Sequence, residues 1–205
     1  MKKLLSSLGL AVVLTALSHA LLLNPGSSIL TPNTGSITGT LLASRTDNFT
    51  GINALSQVLF TGNIKSAVFM ETSGALTFVY KITNDATSIT SPTKVNINNF
   101  GGLTTDIDSI APGNIPVVTD RLNPSIVGFT FNTFPFIGGM GALTPGTTSA
   151  TLIVRTNATA YAVGSGQIID GAVASTLSYA PVPEPATMAA LGLGAAAIMR
   201  RRKKA

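Results

Sequence analysis

The chain has 205 residues, 13 Lys+Arg against 8 Asp+Glu, and no cysteine. That leaves it no disulfide, thiolate nucleophile or lipid-acceptor thiol. At 10% its charged content is far below the roughly 25% of ordinary domains, while 45% apolar content is too high for a disordered chain.

Position explains the net charge of +5. Lys2, Lys3, Arg200, Arg201, Arg202, Lys203 and Lys204 are all terminal, and between them acidic residues outnumber basic ones. No nucleic-acid partner is expected from such a charge distribution.

Residues 1–20 read as a secretory signal peptide. Lys2 and Lys3 form the positive start, Leu8 to Leu17 the apolar centre, and Ser18-His19-Ala20 a signal-peptidase site cleaved after Ala20. Residues 21–34 follow as a loose lead-in or a first edge strand.

From there to residue 180, period-two alternation dominates. Leu76, Phe78, Tyr80 and Ile82 share one face of a strand, with Thr77, Lys81 and Thr83 on the other. Val95 and Ile97 alternate with asparagines, and Val127, Phe129 and Phe131 line a further face. Other strand candidates are Ile37–Ser44, Gln57–Thr61, Ser66–Met70, Ala150–Thr156 and Gln167–Ser178. Breakers separate them at Asp47-Asn48, Gly62-Asn63, Asn84-Asp85, Gly101-Gly102, Pro112-Gly113-Asn114, Gly138-Gly139 and Pro145-Gly146. Tyr161–Tyr179, with Asp170-Gly171 inside it, reads as a terminal hairpin. The expected fold is all-β, a single β-sandwich of Ig-like or jelly-roll type with eight or nine short strands. Signal peptide and C-terminal membrane helix flank it.

Chemistry-bearing groups are few. The only histidine is His19, inside the signal peptide, so the body lacks Ser-His-Asp, Cys-His and His/Cys metal chemistry. Neither GxxxxGK[ST] nor GxGxxG occurs, and Gly138-Gly139-Met140-Gly141 reads as a turn. Asp85, Asp106, Asp108, Asp120 and Asp170 fall at turn-like positions, and Glu71 ends a strand candidate. A glycosidase would have to use such carboxylates alone, with Glu71 among them. The most metal-like spot is Asp106-Ile107-Asp108-Ser109, whose i and i+2 oxygens could meet a calcium ion. Its spacing departs from the EF-hand pattern, and a loop cap is the simpler reading. Tyr161 and Tyr179 are possible exposed platforms for a sugar, whereas Tyr80 alternates inward. No cofactor and no catalytic residue are expected; the chain reads as a non-enzyme.

The tail is more specific. Val182-Pro183-Glu184-Pro185 leads into an apolar stretch, Ala186 to Met199, and then the basic run Arg200 to Lys204. As a helix the apolar stretch spans roughly 21 Å, short of the ~30 Å hydrocarbon core unless preceding residues and long basic side chains extend it. The basic run keeps the C-terminus cytoplasmic and places the body outside. Residues 181–205 thus read as a Pro-rich linker beginning near Ala180, the Pro183-Glu184-Pro185 motif, an apolar helix over 186–199 and a basic tail over 200–204.

This order of motif, short apolar helix and basic run resembles the PEP-CTERM sorting signal of Gram-negative and related bacteria. The resemblance covers only the tail. It implies export, tethering of the precursor in the inner membrane, and processing near Pro183-Glu184-Pro185 by an exosortase, a transpeptidase-like membrane enzyme. It also implies a final place in the cell envelope or outside the cell, with extracellular polysaccharide as a partner. For the body, a non-catalytic structural or interaction role is expected, a carbohydrate- or calcium-binding adhesive module standing next and a carboxylate-only polysaccharide hydrolase third.

Overall fold

A computed structural model describes residues 20–131 and 142–182. In chain order the strands are β1 (Leu21–Leu22), β2 (Ser28–Leu30), β3 (Thr40–Ile52), β4 (Val58–Met70), β5 (Leu76–Asn84) and β6 (Lys94–Ile97). They continue as β7 (Thr105–Ile110), β8 (Val118–Asp120), β9 (Val127–Thr130), β10 (Thr151–Thr156), β11 (Tyr161–Ile169) and β12 (Val173–Pro181). One six-stranded sheet has the order β1-β7-β10-β5-β4-β3, and the other β12-β11-β6-β9-β8-β2. Every pairing between these strands is antiparallel. The all-β expectation holds: the described residues contain no helix.

Alternation builds the core. Phe60, Ile64 and Val68 of β4 and Leu76, Phe78, Tyr80 and Ile82 of β5 face inward from the first sheet. Val95, Ile97, Val127, Phe129 and Ile168 meet them from the second, within one hydrophobic cluster. Each such side chain contributes roughly 1.5–3 kcal/mol on burial, so this shared core is the main stabilising term. Polar ties then fix how the sheets close. The Tyr80 hydroxyl donates to the Tyr179 carbonyl at 2.8 Å, and the Tyr179 amide donates to Ser66 Oγ at 3.0 Å.

Twelve strands stand among the described residues where eight or nine were expected. The added strands are β1, β2, β7 and β8, while β4 joins two expected strands, Gln57–Thr61 and Ser66–Met70, and forms with β3 a hairpin of two 13-residue strands. The expected breaks at Asp47-Asn48 and Gly62-Asn63 fall in the middle of these strands, where Asn48 faces Asn63 directly. Gly62 is there for packing. A Cβ at this position would lie 2.0 Å from the Thr83 carbonyl oxygen and 2.6 Å from the Phe49 ring. Asp47 is an inward-facing edge charge paired to Arg45, Nη2 to Oδ1 at 2.6 Å. Inward charges on a long edge strand oppose the addition of a further strand.

At the two ends of the body, the edge-strand reading of residues 21–34 holds and the linker reading of Ala180 changes. Residues 21–34 hold two short edge strands, and Leu23 between them is fully buried. Ala180 and Pro181, read as the start of a linker, are the last residues of β12. Ala180 is buried against the core and Pro181 pairs with Tyr161. Proline is tolerated there because β12 is an edge strand.

Residues 31–39 form a strap across the outer face of the first sheet. β2 lies at an edge of the second sheet, and β3 at the far edge of the first, so the connection must cross β7, β10, β5 and β4. Along the way the Thr34 amide donates to Asp108 Oδ1 at 3.1 Å, and Arg155 Nη2 donates to the Ser36 carbonyl at 2.8 Å. Thr38 Oγ1 donates to Glu71 at 2.6 Å. Gly35 lies so close that a Cβ would sit 2.8 Å from Asp108 Cγ. The strap therefore buries one end of an otherwise solvent-facing surface.

Candidate functional site

Most of the described carboxylates are structural ties. Asp106 and Asp108, expected in a loop, lie within β7, where both project from the face opposite Ile107. Asp108 is fully buried under the strap. Its Oδ1 accepts from the amides of Thr34 and Ser109, and its Oδ2 lies 4.0 Å from Arg155 Nη1. Arg155 also stands directly opposite Asp106 in the ladder. A guanidinium thus occupies the neighbourhood in which a calcium ion would have to sit, and no cluster of three or more acidic or histidine side chains occurs among the described residues. Glu71 is held by two hydroxyls, Thr38 Oγ1 at 2.6 Å and Thr77 Oγ1 at 2.7 Å.

The remaining aspartates divide by location. Asp85 follows β5 and accepts from Thr61 Oγ1 at 2.8 Å, and Asp170 sits in the β11–β12 turn, both as expected. Asp120 departs from expectation: it ends β8 and pairs with Lys94 at 2.7 Å.

The tyrosines also serve packing. Tyr80 is fully buried, as its alternation predicts, and burial pushes its hydroxyl well above the usual tyrosine range. Tyr161 and Tyr179 are half-buried against the core, edge to face with ring centroids 5.5 Å apart. Arg45 lies over the Tyr179 ring, 5.6 Å from its centroid, and its hydrogen bond to Asp47 raises its own pKa. Neither ring is an open platform for a sugar.

Among basic residues the described part of the body divides four to two. Arg45, Lys94 and Arg155 lie beside Asp47, Asp120 and Asp108. Arg121 is buried, donating to the carbonyls of Phe100, Leu103 and Pro124, and burial lowers its pKa. Lys65 and Lys81 alone have no hydrogen-bond or ion-pair partner among the described residues, and they stand directly opposite each other on β4 and β5. Both line one shallow cavity of about 510 Å³ with Ser44, Thr46, Ala67 and Val79. Sequence reading missed this pair. Period-two spacing puts both on the solvent face, but their adjacency depends on the β4–β5 register.

The targeting residues frame the body. Ala20 immediately precedes β1, whose Leu21 and Leu22 pair with Ile107 and Asp106 of β7. At the other end the Val182 amide donates to the Ala160 carbonyl at 3.0 Å. Pro183, Glu184 and Pro185, the helix expected over 186–199, the basic cluster Arg200, Arg201, Arg202, Lys203 and Lys204, and the signal peptide before Ala20 lie outside the described residues. No helix of the described residues is long and apolar enough to cross a membrane.

Comparison with known proteins adds one finding. Residues 181–203 match the PEP-CTERM protein-sorting motif. The chain therefore carries the sorting signal of an exosortase substrate, which implies export and processing of a membrane-anchored precursor. No curated protein and no solved structure matches the chain.

Proposed function

We propose that the chain is an exported, exosortase-processed protein of the cell surface or extracellular matrix, whose body is a β-sandwich with a non-catalytic structural or interaction role. In this reading signal peptidase cleaves after Ala20 and an exosortase acts near Pro183-Glu184-Pro185. The inner membrane holds the precursor through the apolar segment over 186–199, and the finished protein resides in the envelope or outside the cell. The sandwich reading is supported by two antiparallel sheets contributing to one core.

The carrying observation is the match of residues 181–203 to the PEP-CTERM sorting motif, and the positions of the described strands agree with it. β1 begins at Leu21, the residue that follows Ala20, and β12 runs to Pro181, two residues before Pro183-Glu184-Pro185. Cleavage at both places would remove no residue of any described strand. The non-catalytic role is supported by carboxylates engaged in ties to the strap, to turns and to neighbouring basic groups.

Intact mass of the protein recovered from outside the cytoplasm tests this reading. Loss of residues 1–20 and of Arg200 to Lys204 is the expected result. A recovered chain still carrying both ends refutes processing.

A further inference from the structure

On the outer face of the first sheet, the ladder sets Thr46 opposite Lys65 and Lys65 opposite Lys81, one row across β3, β4 and β5. The next row is Ser44, Ala67 and Val79. Like charges directly opposite each other in a sheet are unfavourable. The two ammonium groups have no acidic neighbour to offset that cost, and they line the same cavity. In a chain where only 10% of residues are charged, the two cations without a partner among the described residues share one row. An external anion would relieve the repulsion.

We infer that this row is a binding site for an acidic glycan, with sugar carboxylates held by Lys65 and Lys81. Three features select this chemistry. β4 lies between β3 and β5, so its backbone is committed to the ladders and only side chains are free to bind. Those side chains offer two point charges flanked by the hydroxyls of Ser44 and Thr46, donors and acceptors suited to sugar hydroxyls. The floor is the half-exposed Ala67 beside the nearly buried Val79, a small apolar surface for the C–H face of a sugar ring, and the lining has no aromatic side chain on which a nucleobase could stack.

Spacing agrees. Neighbouring strands lie about 4.7–4.9 Å apart, close to the length of one sugar unit, so a chain of sugar acids across the strands meets one lysine per unit. A single small anion in so open a cavity would be weakly held and screened by salt; a polymer presents many carboxylates to the same row. The site stands on sheet register and charge, and it is independent of the sorting of the chain.

Lysine acetylation footprinting of the full chain, with and without oligogalacturonate, tests the assignment at residue resolution. At low salt Lys65 and Lys81 should be protected at least fivefold, Lys94 should be unchanged, and neutral dextran should protect neither. Titration should show at least a tenfold weaker affinity for the Lys65→Gln/Lys81→Gln double variant. Lys94→Gln, which removes one lysine charge elsewhere, should bind within twofold of the parent, and each single variant, Lys65→Gln or Lys81→Gln, should bind more weakly than Lys94→Gln. Because the basic ends are common to all variants, their contribution does not distinguish them. Unchanged acetylation at Lys65 and Lys81 overturns the site. Protection by polyphosphate but not by oligogalacturonate overturns the sugar-acid assignment, and equal protection by dextran overturns the role of charge. Lys65 is exposed and Lys81 half-buried, both on the face opposite the core and without an ion-pair partner, so melting temperatures of the variants should stay close to the parent, and a collapse in melting temperature would refute the unpartnered geometry.

Discussion

The outer face of the first sheet carries charge at both ends, and the ends behave differently. At the β7–β10 end, Asp108 and Arg155 lie under the strap of residues 31–39, and Asp108 is fully buried. At the β3–β5 end, Lys65 and Lys81 lie beyond the strap with no partner among the described residues. Both pairs project from the same face of the same sheet. Cover makes the first pair part of the fold, and lack of cover leaves the second pair to meet a ligand.

The largest test of this contrast is Asp108→Ala. It removes the acceptor for the amides of Thr34 and Ser109 and leaves Arg155 without its acidic neighbour. Breaking a buried charged contact costs about 3–5 kcal/mol, so the urea midpoint should fall steeply. A loss below about 1 kcal/mol would mean that the strap is not anchored through Asp108. Lys65→Gln, at the uncovered end, should stay within about 0.5 kcal/mol of the parent.

Gly35→Ala tests the cover itself. The added Cβ would meet Asp108 Cγ at 2.8 Å and Ile153 Cδ1 at 3.0 Å, so the strap must lift or the sheet must yield. Overpacking of this kind costs about 1–3 kcal/mol. Hydrogen exchange should accelerate at the amides of Thr34 and Gly35, which donate to Asp108 and to the Ser109 carbonyl. Unchanged exchange and stability would show that the strap is not held tightly to β7.

Tyr80 extends the contrast to pH, as a titratable group inside the core. Its pKa is raised by burial above the usual value of 10.0. The folded form then keeps its proton where the unfolded chain loses it. Stability from this group is complete below about pH 10 and declines as pH rises above that. Tyr80→Phe removes the bond to the Tyr179 carbonyl, at a cost of about 1 kcal/mol at neutral pH. The variant should also lose stability less steeply than the parent above pH 10 in alkaline melts.

Much of the fold was legible in the sequence because alternation is local. Phe78, Tyr80 and Ile82, or Val127 and Phe129, declare their faces without knowledge of any partner strand. Breakers were less reliable, since Gly62 is required by the approach of the Phe49 ring and the Thr83 carbonyl, which only pairing reveals. The same limit applied to Asp106 and Asp108. Their flanking of Ile107 fits a strand, but the cover that makes Asp108 structural comes from residues more than 70 positions earlier. The lysine row was hidden for the related reason that a register relates Lys65 to Lys81 across 16 positions. The sorting signal needed no fold to be read, because its order of motif, apolar stretch and basic run lies within one contiguous segment.

The smallest expected effect sharpens the comparison most, because its sign distinguishes the two ends. Lys65→Glu replaces a like-charge pair by an opposite-charge pair at one cross-strand position, facing Lys81. Opposite charges so placed are worth roughly 0.2–1 kcal/mol, so the variant should be slightly more stable than the parent. The gain should shrink as salt is raised toward 1 M, where the Debye length is about 3 Å. It should be accompanied by loss of oligogalacturonate binding, since the new carboxylate competes for Lys81 and repels the ligand. A charge change that stabilises the fold while abolishing binding would show that the parent residue was retained against the interest of stability. Destabilisation by the same substitution would instead place Lys65 with Asp108, among the charges that the fold requires.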